Sequence, residues 1–278
     1  MRILLIGASG CFGTEFQSIV DKKKIKLFHF PSKKLNILKH EELYKKIYSI
    51  KPKVIINSSA LVGINQCEIE YQSAFAINSV GALNLAKICD RLNIILVQTS
   101  THAVFDGKKN KSYDESDIPK PNNIYSGTKY LSELFVSSVC SKYYILRFPT
   151  LYGKRQNNLK GFVDKVIYAL NHGNPLKIAK DKIDSPTYAR DAAKALMNII
   201  LKKKKFGIYH LANEGKVSYF TFVEHIKKIL KSKSKVTGVK DKSFPSLGFK
   251  PLKTSMISNK IKLRHWKKAL NEYLAEIN

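Results

Sequence analysis

The chain has 278 residues, 44% of them hydrophobic, which is enough to bury a sizeable core in one large domain or two closely joined ones. No uninterrupted apolar run reaches the roughly 18 to 20 residues that span a bilayer, so we expect a cytoplasmic protein without membrane partners. The formal charge of +28 is spread as lysines along the whole chain, which favours a solvated surface that attracts anionic ligands over a nucleic-acid-binding face.

Short apolar runs alternate with longer mixed stretches through the first half of the chain. Continuous apolar strands that alternate with helices are typical of a parallel sheet covered on both faces. The fold class predicted is therefore α/β, with a Rossmann-type doubly wound parallel sheet. The predicted strands are residues 3–6, 26–30, 54–56, 94–98 and 144–147, and the predicted helices are 14–20, 41–50, 74–92 and the segment after Tyr125.

The periodicity becomes more mixed beyond about residue 151. Helices are predicted near 162–170, 191–201 and 220–230, with a turn at 184–187 and a strand at 207–211. We expect an NAD(P)-binding domain over residues 1–153. Residues 154–278 would form mainly a smaller substrate-binding lobe, with the strand near 207–211 returning to the sheet.

The first strand is followed by a glycine-rich loop that opens a helix. Glycines there permit a tight turn and bring backbone close to a pyrophosphate, which free N–H groups at the helix N-terminus can bind. A plain strand-to-helix turn is the alternative interpretation. The loop residues predicted to bind a dinucleotide are Gly7, Ser9, Gly10, Cys11, Phe12 and Gly13.

The end of the second predicted strand indicates which dinucleotide is bound. NAD sites usually place a carboxylate there to hold the ribose hydroxyls, but this chain has Phe30-Pro31-Ser32-Lys33-Lys34. We therefore expect NADPH, with NADH as a second cofactor, and we expect Ser32, Lys33 or Lys34 to meet the additional phosphate. The alternative is that these lysines belong to the general lysine surplus.

Tyr125 and Lys129 are four residues apart, so they share one face of a helix. A free phenol has a pKa near 10, and a neighbouring ammonium is expected to bring that pKa towards neutrality, where acid catalysis works best. Thr101 follows a predicted strand, and its hydroxyl could bind the same carbonyl oxygen as Tyr125. A surface pair on a helix is the alternative interpretation for Tyr125 and Lys129.

The chain resembles the extended short-chain dehydrogenases, and most closely the dTDP-4-dehydrorhamnose reductase family of sugar-nucleotide-binding proteins. The resemblance covers most of the chain. It is carried by the motifs Gly7 to Gly13, Ile56-Asn57-Ser-Ser-Ala60, Ala74-Phe-Ala-Ile-Asn78, Ser100-Thr101 with Val104-Phe-Asp-Gly107, Tyr125 to Lys129 with Glu133, Leu146-Arg147 with Tyr152-Gly153, and Asp184-Ser-Pro-Thr-Tyr-Ala189 with Asp191.

The resemblance implies roles for individual residues. Thr101, Tyr125 and Lys129 would be the catalytic triad. The implied cofactor contacts are Gly10 to Phe12, Ala60, Leu61, Val62, Thr99, Tyr125 and Lys129. Two positions that face the sugar in the family depart from its pattern, because His102 stands where an aspartate is typical and Thr150 where a tryptophan is common.

The function implied is NADPH-dependent reduction of a nucleotide-diphospho 4-keto deoxysugar for surface polysaccharide synthesis. The alternatives are an epimerase or dehydratase that retains NAD, and a non-catalytic regulatory subunit that binds the cofactor. The expected partner is a nucleotide sugar, and a homodimer stays open. Some family members hold a magnesium ion between subunits with glutamates; Glu15 matches one such position, but Arg190 falls near another, so we expect no metal.

Overall fold

The computed structural model describes residues 1–156 and 160–277 of the chain. Its strands are β1 (Arg2–Ile6), β2 (Lys26–His29), β3 (Val54–Asn57), β4 (Ile95–Thr101), β5 (Tyr143–Phe148), β6 (Leu151–Tyr152), β7 (Leu176–Ala179), β8 (Ile183–Asp184), β9 (Thr187–Tyr188), β10 (Gly207–His210), β11 (Val217–Ser218) and β12 (Val236–Val239). Its α-helices are α1 (Cys11–Ile19), α2 (His40–Ile50), α3 (Ile64–Ile69), α4 (Tyr71–Ala74), α5 (Gly81–Arg91), α6 (Ile124–Val139), α7 (Phe162–Asn171), α8 (Ala189–Leu201), α9 (Tyr219–Ile229) and α10 (Trp266–Ile277).

Six strands form a parallel sheet in the order β10-β5-β4-β3-β1-β2. The order reverses at β1, so β1 and β3 flank the switch point at which such sheets bind ligands. This architecture confirms the predicted doubly wound sheet. The strand at 207–210 is contributed by the second half of the chain and pairs with β5 at the sheet edge.

Separate apolar cores cover the two faces of the sheet. On one face, Phe12 and Phe16 of α1 pack with Leu196 of α8 over Ile3 and Leu5 of β1. The other face is covered by α2, α5 and α6. A third core, which includes Phe222 and Trp266, holds the second half of the chain together. None of the described helices is long and apolar enough to cross a bilayer.

The helix expected over residues 74–92 is present, since residues 71–91 are helical without a break, but it is not regular. α4 leads into a π-helical turn over Phe75–Val80 and then into α5, and α3 precedes them. The wider turn places the buried side chain of Asn78 towards the sheet edge, where it is needed for hydrogen bonds described below. Apolar periodicity does not reveal such a turn, since the side chains before and after it remain on helical faces.

Candidate active site

The glycine loop connects β1 to α1 at the carboxyl edge of the sheet. Gly7 has a φ of +79°, and a Cβ there would lie 2.5 Å from the backbone of Ser58. A Cβ on Gly13 would lie 2.4 Å from the Gly7 carbonyl oxygen. A Cβ on Gly10 would have more room, because the nearest atom, the Gly7 carbonyl oxygen, would lie 3.5 Å away. Gly7 and Gly13 therefore allow β1, α1 and the loop after β3 to pack closely, while Gly10 leaves space for a ligand.

Gly10 is the N-cap of α1, and no described side chain caps the N-terminus of that helix. A helix N-terminus with free N–H groups and a glycine approach fits a pyrophosphate. Phe12 is buried and packs on Phe148 with ring centroids 4.9 Å apart. Ser9 is exposed, and its carbonyl accepts a hydrogen bond from the Gln156 N–H at 3.0 Å.

Cys11 lies beside an arginine that the sequence argument did not identify. Burial raises the pKa of the Cys11 thiol to about 12, so the side chain is an inert filler rather than a reactive thiolate. The Arg155 guanidinium lies next to it and contacts Asp164, with 3.0 Å between Nε and Oδ2. Arg155 thus supplies a positive charge at the glycine loop from a segment 144 residues later in the chain, which local motifs do not reveal.

Ser32 and Lys33 are exposed, in the turn that follows β2. That turn is closed by a hydrogen bond from the Lys34 N–H to the Pro31 carbonyl at 2.8 Å. Because β2 pairs with β1 in parallel, both residues lie at the same edge of the sheet as the glycine loop. They belong to the outer end of the candidate cofactor site, away from Thr101 on β4.

Ala60, Leu61 and Val62 form the loop after β3, and Asn78 fixes this loop. The Asn78 side chain accepts a hydrogen bond from the Leu61 N–H at 2.8 Å and donates to the Leu61 carbonyl at 3.0 Å. It also donates to the Thr128 hydroxyl on α6 at 3.0 Å. Asn78 thereby joins the loop to the helix that carries Tyr125, across 50 residues of sequence.

Lys129 extends from α6 to the neighbouring strand. Its Nζ donates to the carbonyl of Thr99 at 2.7 Å, and Thr99 is itself buried. Burial lowers the pKa of Lys129 from its usual 10.5 to about 8, against the opposing charge of Glu133. The ammonium form therefore still predominates at pH 7.

Tyr125 is the second residue of α6, and the hydroxyl of Thr101, the last residue of β4, influences its pKa. Burial raises the pKa of Tyr125 to about 12, and hydrogen bonding by the Thr101 hydroxyl opposes the rise only in part. The pKa near neutrality that the sequence argument expected is therefore wrong for the ligand-free protein. A phenol that keeps its proton at pH 7 is in the correct state to act as an acid.

His102 and Thr150 are brought together by a carboxylate. Asp184 Oδ2 accepts the Thr150 N–H at 2.9 Å and lies 3.9 Å from His102 Nε2. The Thr150 hydroxyl lies 2.6 Å from the phenol oxygen of Tyr219. His102 directly follows Thr101 in the chain, whereas Thr150 lines a small cavity together with Asp184 and Tyr219.

Glu15, the residue that matches a magnesium position of the family, is paired with an arginine. Glu15 is 1% exposed and accepts hydrogen bonds from Arg190 Nε at 2.9 Å and from the Lys154 N–H at 2.8 Å. Arg190 Nη1 also binds Glu276. A guanidinium thus lies between the two carboxylates, and this arrangement does not fit the oxygen ligand set that Mg²⁺ requires.

Known proteins share the sequence and the fold of this chain. The family model for the RmlD substrate binding domain matches residues 1–278. The chain is 30% identical over 272 residues to a dTDP-4-dehydrorhamnose reductase of Aggregatibacter actinomycetemcomitans, covering 94% of this chain and 92% of that one. It is 28% identical to the spore coat polysaccharide biosynthesis protein SpsK of Bacillus subtilis, covering 99% and 97%.

A crystal structure of dTDP-4-dehydrorhamnose reductase from Bacillus anthracis in complex with NADP superposes with a TM-score of 0.93 at 29% identity, covering 99% of both chains. The likeness therefore extends over both halves of the molecule, and it confirms the resemblance drawn from the motifs. The chain belongs to the RmlD substrate binding domain family.

Proposed function

We propose that this protein is an NADPH-preferring reductase of a nucleotide-diphospho 4-keto deoxysugar, with dTDP-4-dehydrorhamnose as the first candidate substrate. The observation that carries the proposal is the hydrogen bond from Lys129 Nζ to the Thr99 carbonyl at 2.7 Å, which holds the helix of Tyr125 against the strand of Thr101, in the sheet whose first strand leads into the glycine loop. The names of the relatives support the reaction, and the NADP complex of the Bacillus anthracis enzyme supports the cofactor.

The residues present fit a dinucleotide phosphate. The N-terminus of α1 and the open approach at Gly10 would hold the pyrophosphate, and Ser32 with Lys33 would hold the additional phosphate. Ala60, Leu61, Val62 and Thr99 would border the nicotinamide half. NADPH, when bound, supplies hydride to the carbonyl carbon of the sugar.

Each catalytic side chain has a separate task. Tyr125 donates its phenolic proton to the carbonyl oxygen as negative charge develops there. Thr101 donates a hydrogen bond to the same oxygen and so polarises the carbonyl. The positively charged Lys129 stabilises the phenolate that remains on Tyr125 and would also hold the nicotinamide ribose. With the hydride that NADPH would supply, these tasks convert a ketone to an alcohol, and Tyr125 regains its proton from solvent before the next turnover.

The two halves of the chain divide the work in this proposal. Residues 1–153 would bind the cofactor and residues 154–278 would contribute most sugar contacts, apart from His102 and Thr150. We also infer a cytoplasmic location, supported by four free cysteines, Cys11, Cys67, Cys89 and Cys140. The protein is further proposed to form a homodimer and to bind no nucleic acid, which light scattering and DNA titration at varied salt would test.

The experiment is initial-rate oxidation of NADPH, and separately NADH, by purified protein with a panel of nucleotide-linked 4-keto sugars. The expected result is oxidation that depends on one sugar and is faster with NADPH than with NADH. No oxidation with any sugar, together with tightly bound NAD released on denaturation, would replace the proposal with an epimerase or dehydratase. No turnover of either kind with intact cofactor binding would indicate a regulatory subunit.

A further inference from the structure

The six strands of the parallel sheet all begin at one edge, opposite the edge that holds the glycine loop and Thr101. We call it the amino edge and define it by the segments at which the strands begin, which are residues 1–2, 20–26, 51–53, 90–94, 140–142 and 201–206. The outermost segments are bonded to their neighbours. The Lys26 N–H donates to the Met1 carbonyl at 2.9 Å, and the Tyr144 hydroxyl donates to the Lys204 carbonyl at 2.6 Å. The amino edge is therefore one continuous surface.

Positive charge is concentrated on the amino edge. Thirteen of its 26 residues are lysine or arginine, whereas the whole chain has 49 among 278. All thirteen are exposed except Lys142, which is half-buried. Its only acidic residues are Asp21 and Asp90, and Asp90 already accepts the Ser141 N–H at 3.1 Å. The general lysine surplus of the chain does not account for this concentration, which arises because the fold gathers six separate segments.

Helix ends and ion pairs explain few of these charges. Helices that alternate with parallel strands end near the strand starts, and cations are favourable in the last turn of a helix. Of the helices that end at this edge, however, only α5 has a basic residue in its last turn, Arg91. Within the described part of the chain, the one ion pair at this edge joins Lys24 to Asp21 at 3.8 Å. Most of these cations are therefore available to an external partner.

The shape and chemistry of the amino edge indicate what kind of partner it fits. Six adjacent strands about 4.8 Å apart spread the charges over roughly 24 Å, so the surface is broad and not a small-ligand cleft. Lysine predominates over arginine, which suits a diffuse negative layer better than a specific phosphate contact. Leu201 and Phe206 flank the lysine run 202–205 and are 62% and 38% exposed. Exposed apolar side chains beside lysines match the boundary between headgroups and acyl chains, and a nucleic acid duplex offers no such apolar phase.

We propose that the amino edge docks this protein on the surface of a bilayer rich in anionic lipids, with Leu201 and Phe206 at the boundary of the acyl chains. Each lysine that reaches the headgroups adds about fivefold to the affinity, so a few of them suffice. The glycine loop and Thr101 then face away from the bilayer and stay open to nucleotides. Such docking would replace the expectation of no membrane partners, which rested on the lack of an apolar run long enough to span a bilayer.

The test is sedimentation of the full chain with vesicles of phosphatidylcholine, alone or with about one third phosphatidylglycerol, at about 0.1 M salt. Wild type should bind the anionic vesicles at least about tenfold more tightly than the neutral ones. The edge variant carries Lys22→Glu, Lys23→Glu, Lys204→Glu and Lys205→Glu, and it should lose this preference.

The matched control carries Lys233→Glu, Lys235→Glu, Lys267→Glu and Lys268→Glu, at four exposed lysines outside the amino edge. It has the same net charge as the edge variant and should stay within about threefold of wild type. Equal losses in the two variants would show that only net charge matters and would overturn the docking surface. Equal binding of wild type to both kinds of vesicle would overturn it as well.

Two further comparisons complete the test. Tighter binding of wild type to mixed-sequence duplex DNA than to anionic vesicles, lost in the edge variant, would assign the amino edge to nucleic acid and overturn the proposal. If the edge variant does not fold, Lys204→Gln with Lys205→Gln replaces it, and Lys267→Gln with Lys268→Gln is its control. The first pair should then lose about tenfold in vesicle affinity and the second less than about twofold. These outcomes do not depend on the reductase function proposed above.

Discussion

Lys129 Nζ donates a hydrogen bond to the backbone carbonyl of Thr99 at 2.7 Å, and this contact joins α6 to β4. Tyr125 lies one helical turn before Lys129, and Thr101 lies two residues after Thr99 on the strand. The hydrogen bond therefore holds the proposed acid and the proposed polarising hydroxyl in register. It also retains a buried ammonium whose burial is unfavourable in the ligand-free protein.

Replacing Lys129 with methionine should stabilise the fold and abolish turnover. The pKa of Lys129 falls from 10.5 to about 8 on folding, so the charged form is disfavoured in the folded state. Removing the charge should therefore raise the free energy of unfolding, but loss of the hydrogen bond to Thr99 offsets part of this increase. The net increase expected at pH 7 is about 1 to 3 kcal/mol. Denaturant unfolding of Lys129→Met and wild type measures this difference.

The gain in stability of Lys129→Met over wild type should become smaller as pH rises. Below pH 8 the lysine is protonated in both folded and unfolded wild type, so the full penalty is present. Between pH 8 and 10.5 the unfolded chain binds more protons than the folded one, so wild type becomes more stable relative to the variant as pH rises. An advantage that grows with pH, or a variant less stable at pH 7, would contradict the burial argument.

Tyr125→Phe should lose turnover and keep NADPH binding. The substitution removes only the proton that the carbonyl oxygen receives, and the ring still fills its place against Thr101. Tyr130→Phe on the same helix is the matched control and should leave the rate unchanged. Rates of NADPH oxidation and fluorescence titration of the cofactor provide the two measurements; an unchanged rate in Tyr125→Phe would rule out the phenol as the acid.

The double substitution Lys33→Glu with Lys34→Glu should weaken NADPH binding more than NADH binding. Each glutamate replaces a positive charge with a negative one beside the proposed position of the additional phosphate. We expect a rise in Kd for NADPH of about 10- to 100-fold, which corresponds to about 1.4 to 2.8 kcal/mol, and a change under about threefold for NADH. Lys22→Glu with Lys23→Glu makes the same charge change in the turn before β2, and equal effects of the two pairs would reject a specific phosphate contact.

Gly13→Ala should lower stability, whereas Gly10→Ala should lower cofactor affinity. A Cβ on Gly13 would lie 2.4 Å from the Gly7 carbonyl oxygen, so α1 must shift and stability should fall by about 1 to 3 kcal/mol. At Gly10 the nearest atom is 3.5 Å away and φ is −71°, so stability should change by less than about 1 kcal/mol. Only cofactor affinity should fall in Gly10→Ala, as measured by calorimetry. Equal stability losses would show that both glycines serve packing alone.

Arg190→Gln should destabilise the protein because it leaves the buried Glu15 with a weaker partner. We expect a loss of about 2 to 4 kcal/mol, and Glu15→Gln together with Arg190→Gln should recover part of it in a double-mutant cycle. Wild type should unfold at the same denaturant concentration with EDTA or with Mg²⁺. A wild-type midpoint that rises with Mg²⁺ would show that the glutamates bind a metal despite Arg190.

The sequence predicted the sheet and the local motifs because each depends on neighbours in the chain. Gly7 to Gly13 follow a buried strand, and Tyr125 and Lys129 share a helix face, so their spacing in the chain was sufficient to predict that they lie together. Asn78 was not identified as a site residue because its role depends on a π-helical turn and on Thr128, 50 residues away. In the ligand-free protein the pKa of Tyr125 is raised and not lowered, because spacing does not report the desolvation of the phenol.

The substrate side was harder to predict for the same reason. The resemblance indicated His102 as a sugar-facing position, but its proximity to Asp184, 82 residues later, depends on tertiary packing. Arg155 reaches the glycine loop only because the segment after β6 packs over it. Contacts of this kind arise from tertiary packing, which apolar periodicity and short motifs do not specify.

The most direct test of the central claim is the transfer of deuterium from NADPH labelled at the reactive nicotinamide carbon to dTDP-4-dehydrorhamnose in the presence of the purified protein. The account predicts a nucleotide sugar product with one deuterium on C4, seen by mass spectrometry and NMR, and formed in step with cofactor oxidation. A product without deuterium, or an altered sugar formed while NADPH is not consumed, would contradict the assignment of this chain as a reductase.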